Sequence, residues 1–252
     1  MRIDVARLVS DAWALWQRDR AVLLPIAGLA LFLPRLALQL LVPPAPALQG
    51  EVNETAMAAW SEAFGAWVGR YGLWYVGTAL LLLWGALTIV SLYLDTNRPT
   101  VAAAMRRAGV LLPRYVLATI LVGLPLGALL AVAITSPVLM IVVFAPLFYL
   151  SGRTLLMGPA LVRYAPLSAV GAIFRSWQLT RGAGWTLAWL VAAPLLASLL
   201  AATLFTTVGR AGTNPLLEAI AAAGMSVAEA GATLATTLLG IAAYRMFAKR
   251  GT

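Results

Sequence analysis

The sequence predicts an all-α fold, a polytopic membrane bundle of six transmembrane helices with amphipathic helices lying at the cytoplasmic interface, and three observations carry that prediction. Of 252 residues, 62% are hydrophobic and 11% charged, against roughly 45–50% and about 25% in soluble domains. Six apolar stretches approach or exceed the roughly 20 residues a helix needs to cross about 30 Å of hydrocarbon, where unpaired backbone amides are costly. Fourteen of the eighteen basic residues fall in alternate connections between those stretches. The chain reads as a single integral membrane domain over 1–252.

The first span is expected at 21–42, and it carries Pro25, Pro34 and Arg35. Ala45-Pro46-Ala47 follows with the small-residue pattern of a signal-peptidase site, but the apolar stretch is longer than a signal core of 7–15 residues and contains an arginine. It is therefore expected to remain as a membrane helix. Pro43, Pro44 and Pro46 break the chain, and from Glu54 a helix sets Met57, Trp60, Phe64, Trp67 and Tyr71 on one face. With Trp74 and Tyr75 beyond, these aromatics fit either an interfacial belt or packing against a neighbour, and they lead into a span at 72–94.

Spans three and four are expected at 115–135 and 137–162, joined tightly at Ser136-Pro137 as an antiparallel hairpin, and span five at 185–208. Thr213-Asn214-Pro215 reads as a helix start and Gly224 as its stop, giving a short helix outside the membrane. Ser226 and Glu229 then have the spacing of a capping box that opens span six at 227–247. Small residues every fourth position in span six (Gly224, Ala228, Ala232, Thr236, Gly240), with Gly123 and Gly127 in span three, predict close helix contacts.

Orientation follows from the charges. The segments 1–20, 95–114, 163–181 and 244–252 hold fourteen arginines and lysines, while 43–70 and 209–225 hold two. The excess of basic residues on cytoplasmic connections places both termini in the cytoplasm, in a bacterial inner membrane, and sets Glu51, Glu54, Glu62, Glu218 and Glu229 outside. Arg106 and Arg175 are 69 residues apart, as are Pro125 and Pro194. The N-terminus, with Val5, Leu8, Val9, Ala12 and Trp16 on one face, has a similar layout, suggesting three repeats of interfacial helix plus helical hairpin.

The absence of cysteine and histidine removes disulfides, thiolate chemistry, imidazole bases and the usual zinc sites. No metal or cofactor is expected. The net charge of +9 would suggest nucleic acid in a soluble protein, but between apolar spans the nearer anion is the lipid head group, so nucleic acid is not expected as a partner. In 167–181, Val170, Phe174 and Trp177 share a face with Arg175, Gln178 and Arg181 off it, and Val101, Met105 and Ala108 do the same beside Arg106 and Arg107. Such stretches lie in an interface and hold anionic lipid by charge and apolar burial together, or serve only as topology determinants. Arg106, Arg107, Arg114, Arg175 and Arg181 are the head-group candidates.

The intramembrane polar candidates are Arg35, Gln39, Asp95 and Arg153. An arginine at the bilayer centre costs at least about 2.5–3.5 kcal/mol, so Arg35 and Arg153 are expected to snorkel to the head groups or to donate hydrogen bonds between helices. Arg153 has two sharper readings: a pair with Asp95, or a grip on a lipid phosphate. Paired intramembrane carboxylates, a nucleophile beside a base and a phosphate-cradling loop are not found. An intramembrane enzyme would need Tyr93, Asp95, Ser151 and Arg153 around one point, and a non-enzymatic protein is expected.

The run Gly152-Arg153-Thr154-Leu155-Leu156, with Gly158-Pro159-Ala160, Pro166-Leu167-Ser168-Ala169, Phe174-Arg175-Ser176-Trp177-Gln178-Leu179-Thr180-Arg181-Gly182 and Trp185, resembles the "R-S-W-x-L-T-x-G" region of YciC-type bacterial membrane proteins and of the membrane domain fused to some glycerophosphodiester phosphodiesterases. Ala104-Met105-Arg106-Arg107-Ala108 and Leu112-Pro113-Arg114-Tyr115 are similar to the loop before it. The likeness covers 85–205 and implies a bundle of about six helices without an established activity. The histidines and the length of the fused catalytic domain are missing, and Arg163-Tyr164-Ala165 stands where that group often has an acid. The expected role is to organise or sense the bilayer through anionic lipid at the cytoplasmic face, alone, as a homo-oligomer or with membrane-protein partners; the alternative is a membrane subunit or small carrier with a cavity near Arg153 and Asp95.

Overall fold

A computed structural model describes residues 4–47, 53–96, 99–133, 137–210 and 214–248. Among them every regular element is helical. Asp4 caps the first helix, its carboxylate accepting from the Arg7 amide at 3.0 Å, and α1 runs over Val5–Ala27. A π turn at Gly28–Phe32 joins it to α2, Leu33–Leu41. Then come α3 (Glu54–Leu94), α4 (Val101–Ala133), α5 (Pro137–Thr154), α6 (Met157–Arg163), α7 (Ala169–Leu179), α8 (Gly184–Arg210) and α9 (Pro215–Ala248).

Six helices are long and apolar enough to cross a membrane: Val5–Leu41, Glu54–Leu94, Val101–Ala131, Val142–Arg163, Gly184–Thr207 and Pro215–Ala248. The chain is a multi-pass membrane protein, and each of the six expected spans overlaps one of these helices: 72–94 and 227–247 lie wholly inside, 21–42 and 185–208 overrun by one residue, 137–162 begins five residues early, and 115–135 runs past the end of its helix to positions 134 and 135, which lie outside the described residues. Val5–Leu41, Glu54–Leu94, Val101–Ala131 and Pro215–Ala248 are longer than the expected spans because the flanking stretches continue the helices. Residues 5–20 bend into span one at Asp19, where φ −115° and ψ 17° leave the helical region. The 41 residues of α3 reach about 62 Å at 1.5 Å each, twice the hydrocarbon thickness.

Proline and glycine shape the first crossing. Pro34 has no amide to donate and its ring crowds the carbonyl four residues back, and the widened π turn just before it takes up the misfit. There α3 comes closest: a Cβ on Gly85 would lie 2.7 Å from that of Ala30.

Two expectations in the last helix fail. Asn214 does start α9, its side chain accepting from the Leu216 amide at 2.9 Å, but Gly224 does not stop it. Gly224 lies inside the continuous α9 with the Phe205 ring against it, where any side chain would collide. The Ser226–Glu229 capping box therefore has no helix end to cap. In span three, Gly123 and Gly127 mark no close contact, since a Cβ on either would meet nothing within 4 Å. Ser136 of the expected hairpin turn lies outside the described residues, although α4 and α5 do pack on each other.

Helix α9 packs on α8, α1, α2 and α3, while α3 pairs with α4 and α5 with α8. The core is uneven along the bundle. Leu8, Leu23, Leu87, Leu156, Leu187 and Ile241 are fully buried towards the arginine-rich end, here the basic end. Towards the other end Leu124, Leu129, Leu195, Leu199, Leu200 and Leu204 stay exposed. In lipid such leucines cost nothing, because hydrocarbon is as apolar as a protein core.

Candidate functional site

The polar residues of the spans form separate clusters. Arg35 on α2 reaches α9, where its Nε meets the Glu229 carboxylate at 3.0 Å and its Nη2 donates to Thr233 Oγ1 at 2.9 Å. Four residues on, Gln39 Oε1 accepts from Ser226 Oγ at 3.1 Å. Arg35 is thus an inter-helix donor, as one reading of it expects. Glu229, expected at the outer start of span six, is its counter-ion.

At the basic end Asp95 pairs with Arg107, whose Nη1 lies 3.0 Å from Oδ2 and whose Nη2 donates to the Val162 carbonyl at 3.1 Å. This replaces the expected pair with Arg153. Tyr93 turns away, donating to Asp19 Oδ2 at 2.8 Å, and Ser151 donates to the Phe148 carbonyl in its own helix at 2.7 Å. Tyr93, Asp95 and Ser151 are thus each engaged by a different partner.

Arg153 is buried, with 8% of its surface exposed. Its guanidinium carbon lies 5.1 Å from the Trp177 ring centre and 5.9 Å from that of Tyr149, within the range of cation–π attraction. Its carbonyl accepts from Ser176 Oγ at 2.6 Å. Gly152 and Gly184 allow α5 and α8 to touch here: a Cβ on Gly152 would run into the Ala188 backbone. The residues quoted for the family resemblance, Gly152, Arg153, Ser176, Trp177 and Thr180, therefore form one contact unit of α5, α7 and α8.

The five head-group candidates divide by burial. Arg106, Arg114 and Arg181 are exposed, while Arg107 is half-buried and engaged by Asp95. Arg175 donates to the Tyr164 hydroxyl at 2.9 Å and to Gln178 Oε1 at 3.2 Å. The Tyr244 hydroxyl and this guanidinium, both bonded to Tyr164, hold its hydroxyl below the usual tyrosine value. Arg106, Arg107 and Arg114 line a groove of about 680 Å3 between α4 and the α6–α7 turn. On α7, Ala169, Ala172 and Ser176 face inward, leaving Val170 (50%), Phe174 (65%) and Trp177 (38%) exposed.

Two further cavities flank α1. A chamber of about 630 Å3 is lined by Asp4, Arg7, Asp11, Arg18 and Arg245. An apolar groove of about 420 Å3 lies under Trp13 and Trp16, against Pro194 and Leu238. Among the described residues no three carboxylates converge as metal ligands would.

At the far end the aromatics of α3 form a stack, Trp60 to Phe64 at 5.1 Å and Phe64 to Trp67 at 5.9 Å. Their indoles donate to the carbonyls of Pro46 and Pro43 at 3.0 and 3.1 Å. The aromatic face thus secures the proline-rich connection, which is packing within the chain.

The Arg35–Glu229 pair was readable in principle. Arg35 and Gln39 are four apart, and Ser226, Glu229 and Thr233 are three and four apart, so each set shares a helix face. The capping-box reading concealed the second stripe.

No family model, curated protein or solved structure matches the chain.

Proposed function

We propose that this multi-pass protein is a non-enzymatic organiser or sensor of the bilayer, resident in a bacterial inner membrane with both termini cytoplasmic, and that its basic end holds anionic lipid. The observation that carries this reading is α7. Its exposed Val170, Phe174 and Trp177 lie beside Arg175 and Arg181, the arrangement of a helix that sinks an apolar face among acyl chains and offers cations to head groups. Each arginine near an anionic surface contributes about 1 kcal/mol. The groove along Arg106 and Arg114 extends the same surface.

Membership of the YciC-type group is part of the proposal. It rests on the likeness of the quoted residues in 85–205, among which Arg153, Ser176 and Trp177 touch one another. A small carrier is less well supported, because Asp95 is taken by Arg107.

Replacing Arg106, Arg107, Arg114, Arg175 and Arg181 with glutamine tests the proposal by native mass spectrometry of the purified protein. Anionic lipid that stays on the native chain and is lost from the variant is the expected result. Equal retention would remove the lipid-organising role.

A further inference from the structure

Two cavities near the basic end differ in charge. The chamber beside α1 sets Arg7, Arg18 and Arg245 against Asp4 and Asp11, so its charges largely cancel. The groove of about 680 Å3 between α4 and the α6–α7 turn has Arg106, Arg107 and Arg114 in its lining and no carboxylate. Arg107 is engaged within the fold: Nη1 meets Asp95 at 3.0 Å and Nη2 donates to the Val162 carbonyl at 3.1 Å. Arg106 and Arg114 are exposed, and among the described residues neither guanidinium has a hydrogen-bond or ion-pair partner.

Arg106, Val110 and Arg114 follow one another at intervals of four, which lines them along one strip of α4. The two arginine Cα atoms are about 12 Å apart along the axis at about 1.5 Å per residue. Helical side chains lean towards the N-terminus of their own helix, so both guanidiniums shift the same way and keep that separation rather than converge. One phosphate, taking guanidinium nitrogens at about 2.7–2.9 Å on opposite sides, is too small to bridge it. Between the two cations the surface is apolar: Val110 is 76% exposed, Leu111 is buried beside it, and Pro166 lines the groove from the α6–α7 turn. The order is cation, carbon, cation. A lipid with two phosphodiesters joined through a glycerol presents its complement: anion, carbon, anion.

We propose that this groove selects a lipid carrying two phosphodiesters bridged by glycerol, as in cardiolipin, with one phosphate on Arg106, the other on Arg114 and the bridge over Val110. The inference rests on the lipid-binding reading above and narrows it from anionic lipid in general to two linked phosphates. A lone phosphate gains one charge-assisted contact, of the kind any surface arginine offers. Once the first of two linked phosphates is seated, the second binds intramolecularly at high effective concentration, and the lipid gains an avidity that a one-phosphate lipid lacks at the same surface. A basic pocket between helices on the cytoplasmic side is where such multiply charged head groups bind.

The test uses the full chain, stripped of lipid in neutral detergent, and native mass spectrometry with cardiolipin and phosphatidylglycerol competing at equal total phosphate. The native chain should retain cardiolipin at least about tenfold more tightly than phosphatidylglycerol. Arg106→Gln and Arg114→Gln should each bring cardiolipin down to the level of phosphatidylglycerol, since either leaves one phosphate without its cation. Val110→Glu places a carboxylate four residues from both arginines, a spacing that favours the helix, and should remove the preference from a folded chain. Arg20→Gln, which alters an exposed arginine of α1 outside the groove, should leave the preference as it is. A preference that survives each single substitution in the groove would overturn the inference, and so would an equal loss in Arg20→Gln, which would make net charge the cause. Anionic lipid held by the native chain with no preference for cardiolipin would also overturn it while the broader lipid-binding reading stands. A native chain that retains neither lipid would remove both.

Discussion

Within the membrane the energetics of single residues turn on partners. Arg35 is stabilised by Glu229 at 3.0 Å and Thr233 at 2.9 Å, and removing either charge leaves the other in a poorly hydrated setting. Glu229 keeps 40% of its side chain exposed, so the loss is smaller than the 3–5 kcal/mol of a fully buried broken pair. Polar contacts between membrane helices average about 0.6 kcal/mol and reach about 1.7. Arg35→Gln and Glu229→Gln are each expected to lower unfolding stability in detergent by about 1–2 kcal/mol. In a double-mutant cycle the combined variant should lose less than the sum of the two. Strict additivity would show that the pair is not coupled.

At the scale of elements, close approach is decided by what faces a glycine. Gly152 faces the α8 backbone, which cannot move without shifting the helix, whereas Gly123 and Gly127 face open space. Gly152→Ala should cost about 1–3 kcal/mol as overpacking. Gly123→Ala and Gly127→Ala should fall within about 0.5 kcal/mol of the native chain, with detergent-resistant helicity on heating as the measure. These glycines show where sequence reading ends. Span positions were legible because the hydrophobic pattern and the lipid thickness fix them. Which small residue faces a neighbour depends on helix rotation, which spacing alone leaves open. The same ambiguity hid Glu229. Three residues after Ser226 it has the spacing of a cap, and only the continuity of α9 through Gly224 shows both residues turned towards Arg35 and Gln39. The candidate site was legible in part for a related reason. The face of Val170, Phe174 and Trp177 is a local pattern within one helix, while the Asp95–Arg107 pair joins two, and Asp95 had a choice of arginines that sequence alone could not rank.

Taken whole, the molecule concentrates its core and its charge at one end and leaves leucines exposed at the other. Exposed leucines are at no disadvantage among acyl chains, and the proposed lipid-binding role would set the basic end among anionic head groups. The native chain has no cysteine, so single cysteines report topology cleanly. If both termini are cytoplasmic, Ser168→Cys, at the cap of α7, should react with an impermeant maleimide only after the cells are opened. Thr55→Cys, in the first turn of α3, should react in intact cells.

The central claim, that the basic end gathers anionic lipid, is tested most directly by electron paramagnetic resonance of spin-labelled lipids around the reconstituted protein. The account predicts a larger motionally restricted fraction for phosphatidylglycerol than for phosphatidylcholine, with a difference that shrinks at high salt and in the chain lacking Arg106, Arg107, Arg114, Arg175 and Arg181. Equal fractions for the two lipids at low salt would contradict it.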